Sequence, residues 1–423
     1  MLTSLTAENW KSYDNATLNI DALTVLIGAN SSGKSNLLDA LAFLNRIAHG
    51  TMLNAALQGD TVVSPLRGGV EWAARKPGSH FALCVTYRLS ASRDFEYRIE
   101  CSASSSRCEL ISEQLDRITY RTDNEGVRKL NTGRSLHLFT TDAVADGSPT
   151  IVARLYNEKR GTPRQLSRSH AVLFQLVGQK NRSEIQEGID ALVETLRNIF
   201  ILDPIPSHMR GFSPLSDQLE PDGGNIAGVI AALPKEMRQP IERTLTDYVS
   251  KLPERDVTRV YAETVGKFNT DAMLYCEEQF NTTGDRATVD ARGMSDGTLR
   301  FLAILVAMLT RPTGSLLVIE EVDNGLHPSR SELLLSMLKD IGGKRGVDIM
   351  VTTHNPALLD AMGPAMVPFI TVAHRDADSG ASRLTLLEDI RQLPKLLAQG
   401  RVGRLSSEGL IEQALKAESN RAA

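Results

Sequence analysis

The chain has 423 residues, of which 42% are hydrophobic and 23% charged, enough for a large buried core spread over about two to three lobes. Its 47 Lys and Arg against 51 Asp and Glu leave a net charge of −4, so no overall basic field marks a nucleic-acid binder and only a local basic patch stays open. The cysteines Cys84, Cys101, Cys108 and Cys276 form no C-x-x-C pair, which points to neither a zinc site nor a disulfide framework but to reduced, structural thiols.

The first residues, MLTSLTAENWKSYDN, lack a basic n-region and a long apolar run, so no signal peptide is expected. Residues 23–27, LTVLI, read as a buried strand ending at a glycine loop. Residues 35–47 follow with Leu37, Leu38, Leu41, Leu44 and Ile47 at helical spacing. Residues 81–118 alternate apolar and polar positions, as antiparallel strands do. Residues 121–170 are polar and carry Arg154, Lys159, Arg160, Arg164 and Arg168, a solvated loop or a patch for nucleic acid or a partner.

Residues 183–200 and 225–252 look helical, separated by a Pro- and Gly-rich stretch that reads as a long structured connection. Apolar strands then recur at 315–321, 348–354 and 367–374, with helical patterns between them. Such alternation implies a parallel sheet covered by helices. The longest apolar run, 301–309, is far short of the roughly 20 residues that span a bilayer, so a cytoplasmic protein with no membrane partner is expected.

The chemistry sits at the ends of these elements. GANSSGKS, residues 28–35, fits G-x-x-x-x-G-K-[ST] between a strand and a helix, the context that a phosphate-binding loop requires. Loop N–H groups from Gly28 through Asn30, Ser31, Ser32 and Gly33 to Asn36 at the helix start face phosphates, Lys34 reaches the β- and γ-phosphates, and Ser35 binds Mg²⁺. Gly33 allows close backbone approach. LLVIEEVDNGLHP, residues 316–328, ends a strand in two carboxylates. Glu320 is expected to hold the metal and Glu321 to polarise the attacking water. His354, in VTTHNP at the next strand end, is expected to sense the γ-phosphate. Ser295, Asp296 and Gly297 lead, as a loop opens a helix, into the apolar run 301–309 with small residues and a hydroxyl, a second place suited to an anion.

In order, the phosphate loop, MSDGTLRFLA, IEEVDNGLHPSR and TTHNP resemble the ABC-type ATPases of the SMC, RecF and OLD group, and NWKSYDNATLNI at 9–20 resembles that group's opening. The match is firm over about 1–45 and 290–375; residues between are matched only by their place. The resemblance implies an α/β ATPase head with a mixed sheet, an antiparallel β subdomain and a helical insertion. Its divisions would be 1–180, with the phosphate loop; 181–262, helical; and 263–423, with the signature loop, acids and histidine. It implies ATP and Mg²⁺ as cofactors, slow hydrolysis, and a homodimer that sandwiches ATP, each Ser295 loop serving the nucleotide of the other subunit. Lys11 would touch phosphate. Relatives act in repair or antiphage defence, which implies an effector partner such as a nuclease or toxin, and DNA as a further partner.

The pattern also departs from the group. Glu320 stands where an Asp is usual, Val322 replaces a common proline, and the Q-loop glutamine has only Gln58, Gln175 and Gln179 as candidates. An OLD-like nuclease would need an acidic cluster after the last strand, where Asp376 and Asp378 form a D-x-D but few residues follow. A transporter ATPase and a scaffold that binds ATP without turnover are the remaining alternatives.

Overall fold

The computed structural model describes residues 1–104, 107–122, 128–145, 147–252, 257–279 and 286–422. Its centre is a six-stranded mixed sheet of β1 (Leu23–Ile27), β2 (Ile199–Leu202), β3 (Leu316–Ile319), β4 (Asp348–Thr352), β5 (Ile370–Arg375) and β6 (Ser382–Leu386), in the order β2-β3-β4-β1-β5-β6. All neighbours are parallel except β5 and β6. The strands are short and apolar because both faces are covered. With side chains alternating across the sheet, Val25, Ile27, Leu317, Ile319, Ile349 and Val351 enter one core, and Leu26, Leu316, Val318 and Met350 the other.

Helix α1 (Lys34–Ala48) fills the second core. It also packs beneath an eight-stranded antiparallel sheet running in the order 15–19, 2–8, 80–90, 93–104, 107–122, 128–141, 150–155 and 162–167. An aromatic cluster joins the two layers: Trp10 lies 4.9 Å from Phe81 and 6.0 Å from Phe43, edge-on or tilted, and its indole N–H donates to the Asn36 carbonyl at 2.6 Å. Trp10 belongs to the stretch that resembles the SMC-group opening, and here it clamps the phosphate-loop helix.

The helix α2 (Ser183–Arg197) packs against α1, and α3 (Asp296–Thr310) lies in the first core with every residue from Phe301 to Met308 buried. A helix apolar all round must be covered all round. Among the described residues no helix is long and apolar enough to cross a membrane. The first core extends into a small antiparallel sheet at 257–265, 271–279 and 286–290, edged by Ser213–Pro214. Helices α4 (Ser331–Arg345) and α5 (Pro356–Met362) follow β3 and β4.

The elements differ from expectation in two regions. The helix expected over 183–200 ends at Arg197, and Ile199–Leu202 form a strand: Ile199, Phe200 and Ile201 are β-formers, and pairing with β3 gives their backbone a ladder that a solvated helix end lacks. The polar stretch 121–170 supplies the strands 128–141, 150–155 and 162–167 that widen the antiparallel sheet. Its Arg168 is buried and donates to the Leu110 and Ser148 carbonyls, Arg154 grips Asp142, and Arg164 bonds Gln179 and the Lys180 carbonyl, so these arginines are spent on the sheet's own edges.

Candidate functional site

The phosphate loop leaves β1 through Gly28 at φ 140°, passes Ser31 at φ 65°, and enters α1 through Gly33 at φ 114°. Side chains rarely tolerate such angles, and here space forbids them too. A Cβ on Gly28 would lie 2.1 Å from the Ala373 carbonyl oxygen of β5, and one on Gly33 2.6 Å from Ser382 Oγ and 2.9 Å from the Tyr13 hydroxyl. The protein behind the loop therefore already requires glycine at 33. Lys34 folds back and donates to the Gly28 and Ala29 carbonyls at 2.6 and 3.1 Å. Burial lowers the Lys34 ammonium from its ordinary pKa, against the attraction of Glu321 and Glu320.

A cleft of about 300 Å³ opens over this loop and brings together Asn30, Ser31, Gly33, Lys34, Ser35 and Asn36 with Glu320, Glu321, Thr352 and Arg375. Strand order does this: β4 and β5 flank β1, and β3 delivers its acids from one place further out. Ser35 donates its hydroxyl to Glu320 Oε1 at 2.5 Å, across 285 residues of sequence. Glu321 adopts φ 48°, and its backbone N–H donates to Thr352 Oγ1 at 2.8 Å. His354 Nδ1 stands 3.9 Å from Glu321 Oε1, both side chains about half exposed, and His354 itself does not line the cleft. A hydroxyl and a carboxylate are the hard oxygen donors Mg²⁺ prefers, and a glycine-shaped loop opening a helix suits a polyphosphate, so the residues present fit both groups.

Other predicted residues have different tasks. Ser32 is buried within the loop. Asn36 donates its side-chain amide to Ser12. The Lys11 ammonium is buried, donating to Asp39 at 2.5 Å and to the Arg67 carbonyl at 2.7 Å. Lys11 is thus paired with Asp39 and does not line the cleft. Of the glutamines, Gln175 braces Ser167, Gln179 bonds Arg164, and Gln58 lies against Gly69 and Val70; none lines the cleft. Asp376 accepts from Ser379 and Arg383, which makes the D-x-D the closing bond of a turn.

Three residues escaped sequence reasoning. Arg67 donates to both Glu320 oxygens, at 3.2 and 2.8 Å, from a loop with no periodic pattern. Arg375 holds the Ser31 carbonyl at 3.0 Å; its signal was a cation at the very end of a parallel strand. Asp203 directly follows β2 beside Glu320, and burial, then the Glu320 charge, raises its carboxyl above the usual pKa.

The second anion-suited loop lies elsewhere. Ser295 caps α3, its Oγ accepting from the Thr298 N–H at 3.1 Å. Gly297 packs so tightly that a Cβ would meet the Arg330 guanidinium at 2.7 Å and the Gly325 carbonyl at 2.8 Å. Ser295, Asp296 and Gly297 do not line the Lys34 cleft.

The sequence model of a family described as "AAA domain, putative AbiEii toxin, Type IV TA system" matches residues 23–360. No curated protein matches the chain. Among solved structures, the fold is similar to an Smc head bound to the C-winged helix domain of ScpA, with 15% identity and a TM-score of 0.50 over 91% of this chain and 96% of that one. An Smc head domain with an extended coiled coil, bound to the C-terminal domain of ScpA and derived from Pyrococcus furiosus, aligns at 12% identity and TM-score 0.45, over 94% and 98%. The fold is that of an SMC-type ATPase head.

Proposed function

The chain belongs to the AAA-domain, AbiEii-type family, and from that premise we propose that it binds ATP with Mg²⁺ in the Lys34 cleft and hydrolyses it slowly as a dimer. One observation carries the reading: Ser35 and Glu320 meet at 2.5 Å inside the cleft that Lys34 and the phosphate loop line. No structural demand of a strand end brings a hydroxyl and two acids to a glycine loop.

In this reading the loop N–H groups and Lys34 hold the β- and γ-phosphates. Ser35 and Glu320 hold Mg²⁺, which when bound neutralises charge on the phosphate oxygens. Glu321 accepts the proton of the attacking water, its carboxylate aimed by the Thr352 bond and the turned backbone. His354, beside Glu321, contacts the γ-phosphate and reports its loss. The Ser295 loop closes on the nucleotide of a second subunit, so a dimer holds two sites, each built from both chains. Lys34→Ala should abolish ATP binding in a titration with a fluorescent analogue. Glu321→Gln should bind and not turn over, and should dimerise with ATP in light scattering. Mixing Ser295→Arg with Lys34→Ala, each inactive alone, should restore part of the ATPase activity; no recovery in proven mixed dimers refutes a shared site that fires on its own, leaving either two sites that must fire together or a Ser295 that acts in cis.

The family's description names a toxin of a toxin–antitoxin system. That supports a role in defence, in which the nucleotide state of the dimer controls a separate effector such as a nuclease or toxin. Co-expression of Glu321→Gln with the product of the adjacent gene tests it: ATP-dependent co-purification is the expected outcome, and equal recovery with Lys34→Ala refutes it.

A further inference from the structure

We infer that Arg210 is the positioning residue of the Ser295 loop, and that through this loop it serves the nucleotide bound by the partner subunit, not the one bound by its own; the inference rests on the shared-site reading above. Arg210 comes from the Pro- and Gly-rich connection after β2, whose only residue beside the cleft acids named above is Asp203. One guanidinium nitrogen donates to the carbonyls of Ala291, Arg292 and Met294 at 3.1, 2.8 and 2.8 Å. The other donates to Asp296 Oδ1 at 2.6 Å. A single side chain thus gathers the whole turn that leads into α3.

Peptide planarity gives this a direction. The C=O of one residue and the N–H of the next point opposite ways. With the Met294 carbonyl drawn to Arg210, the Ser295 N–H is turned away from it, toward the open side of the helix start where an anion would sit. The same logic holds one turn earlier: the Arg292 carbonyl faces Arg210, and the Gly293 N–H donates away, to the Asp290 carbonyl at 2.9 Å. Asp296 needs a counter-charge for a second reason. An unpaired carboxylate in the first turn would repel the phosphate that the loop is to receive, and Arg210 supplies the compensation.

The arginine is itself held firmly. The segment pairs with residues 221–222 through bonds from Asp203 N to the Pro221 carbonyl and from Ile205 N to the Asp222 carbonyl, both 2.8 Å. Met209 is buried in the core that contains α3. Arg210 and Asp296 are 30% and 67% exposed, so as an ion pair they contribute little stability; their effect is geometric.

The test uses the full-length protein. Arg210→Ala should keep its ATP affinity and its KM while kcat falls about tenfold or more. Mixed with Lys34→Ala, it should regain activity, because the mixed dimer has one cleft with an intact Lys34 facing a loop with an intact Arg210. Random mixing sets that recovery near a quarter of the wild-type rate, on the order expected for one good site in half the dimers. Arg210→Lys keeps the charge without the planar fork and should show the same kcat loss in weaker form, which covers the case in which the alanine variant does not fold. A wild-type kcat, a loss of ATP affinity in the variant's own cleft, or failure of the mixture to recover while Ser295→Arg with Lys34→Ala does recover each overturn the role of Arg210 and leave the shared site standing. Failure of both mixtures, with crosslinking showing the mixed dimers, overturns a shared site that fires on its own and this inference with it.

Discussion

Arg67 grips Glu320 with both terminal guanidinium nitrogens, at 3.2 and 2.8 Å, while Ser35 donates to the same carboxylate. The two oxygens suited to Mg²⁺ are therefore bonded to each other and to a cation. The arginine is 54% exposed and has Asp39 within 3.7 Å, so it can leave Glu320 without losing all its counter-charge.

The first prediction follows from that competition. A divalent ion entering between Ser35 and Glu320 must displace the guanidinium. Arg67→Ala should therefore bind Mn²⁺ severalfold more tightly in an electron paramagnetic resonance titration with ATP, whereas Glu320→Ala should bind it more weakly. An Arg67→Ala affinity equal to that of the wild type would show that the pair does not compete with metal.

Removal of Gly28's conformational freedom should break the loop. Ala at 28 would have to place its Cβ 2.1 Å from the Ala373 carbonyl at φ 140°. Backbone shift is the only escape, since the obstacle is backbone of β5. Gly28→Ala should lose ATP binding about as completely as Lys34→Ala, while circular dichroism stays that of the wild type. Retained affinity would mean that the loop moves freely against β5.

Glu321→Gln and His354→Ala should separate chemistry from binding. The amide cannot take a proton, so turnover should fall about a hundredfold or more with ATP affinity kept. His354→Ala should keep the affinity as well and lose less, because His354 stands 3.9 Å from Glu321 and does not replace it. Equal rates for Glu321→Gln and wild type would remove Glu321 from the reaction.

A buried acid far from the cleft predicts a pH dependence of stability. Glu113 accepts from the Val172 and Leu173 N–H groups at 2.6 and 2.7 Å and from the Tyr97 hydroxyl at 3.0 Å, and burial raises its carboxyl to about 7 in spite of these bonds. A folded-state pKa above the unfolded one means that the native protein holds the proton more tightly. The group's contribution is present below about pH 4.5 and is lost as pH rises toward about 7, by at most about 1.4 kcal/mol per pH unit. Glu113→Gln should flatten the urea-denaturation stability between those pH values; an unchanged slope relative to wild type would refute the assignment.

Much of the site was legible because its parts are short. Strand, glycine loop and helix at 23–48 follow from an apolar run, two glycines and leucines at helical spacing. Ser295 as a helix cap is likewise a local matter of one hydroxyl and an N–H three residues on. The failures are as instructive. Ile199 and Phe200 continue the helical pattern before them, because so short an apolar run carries no period of its own; only the β3 edge makes Ile199–Leu202 a strand. The pairing of Lys11 with Asp39, one helix turn beyond the loop, is likewise not visible in the sequence.

The sequence by itself determined which chemistry is available: a phosphate loop, acids at a strand end, a histidine at another, and a capped helix start, each encoded within a dozen residues by side-chain period, glycine and hydrogen-bonding caps. Only the tertiary structure decided which of these meet. The order β2-β3-β4-β1-β5-β6 places Glu320, Glu321, Thr352 and Arg375 around one loop and leaves Ser295 to another surface. Arg67 reaches Glu320 across 253 residues and Arg210 reaches Arg292 across 82, contacts made by packing, to which no local periodicity corresponds.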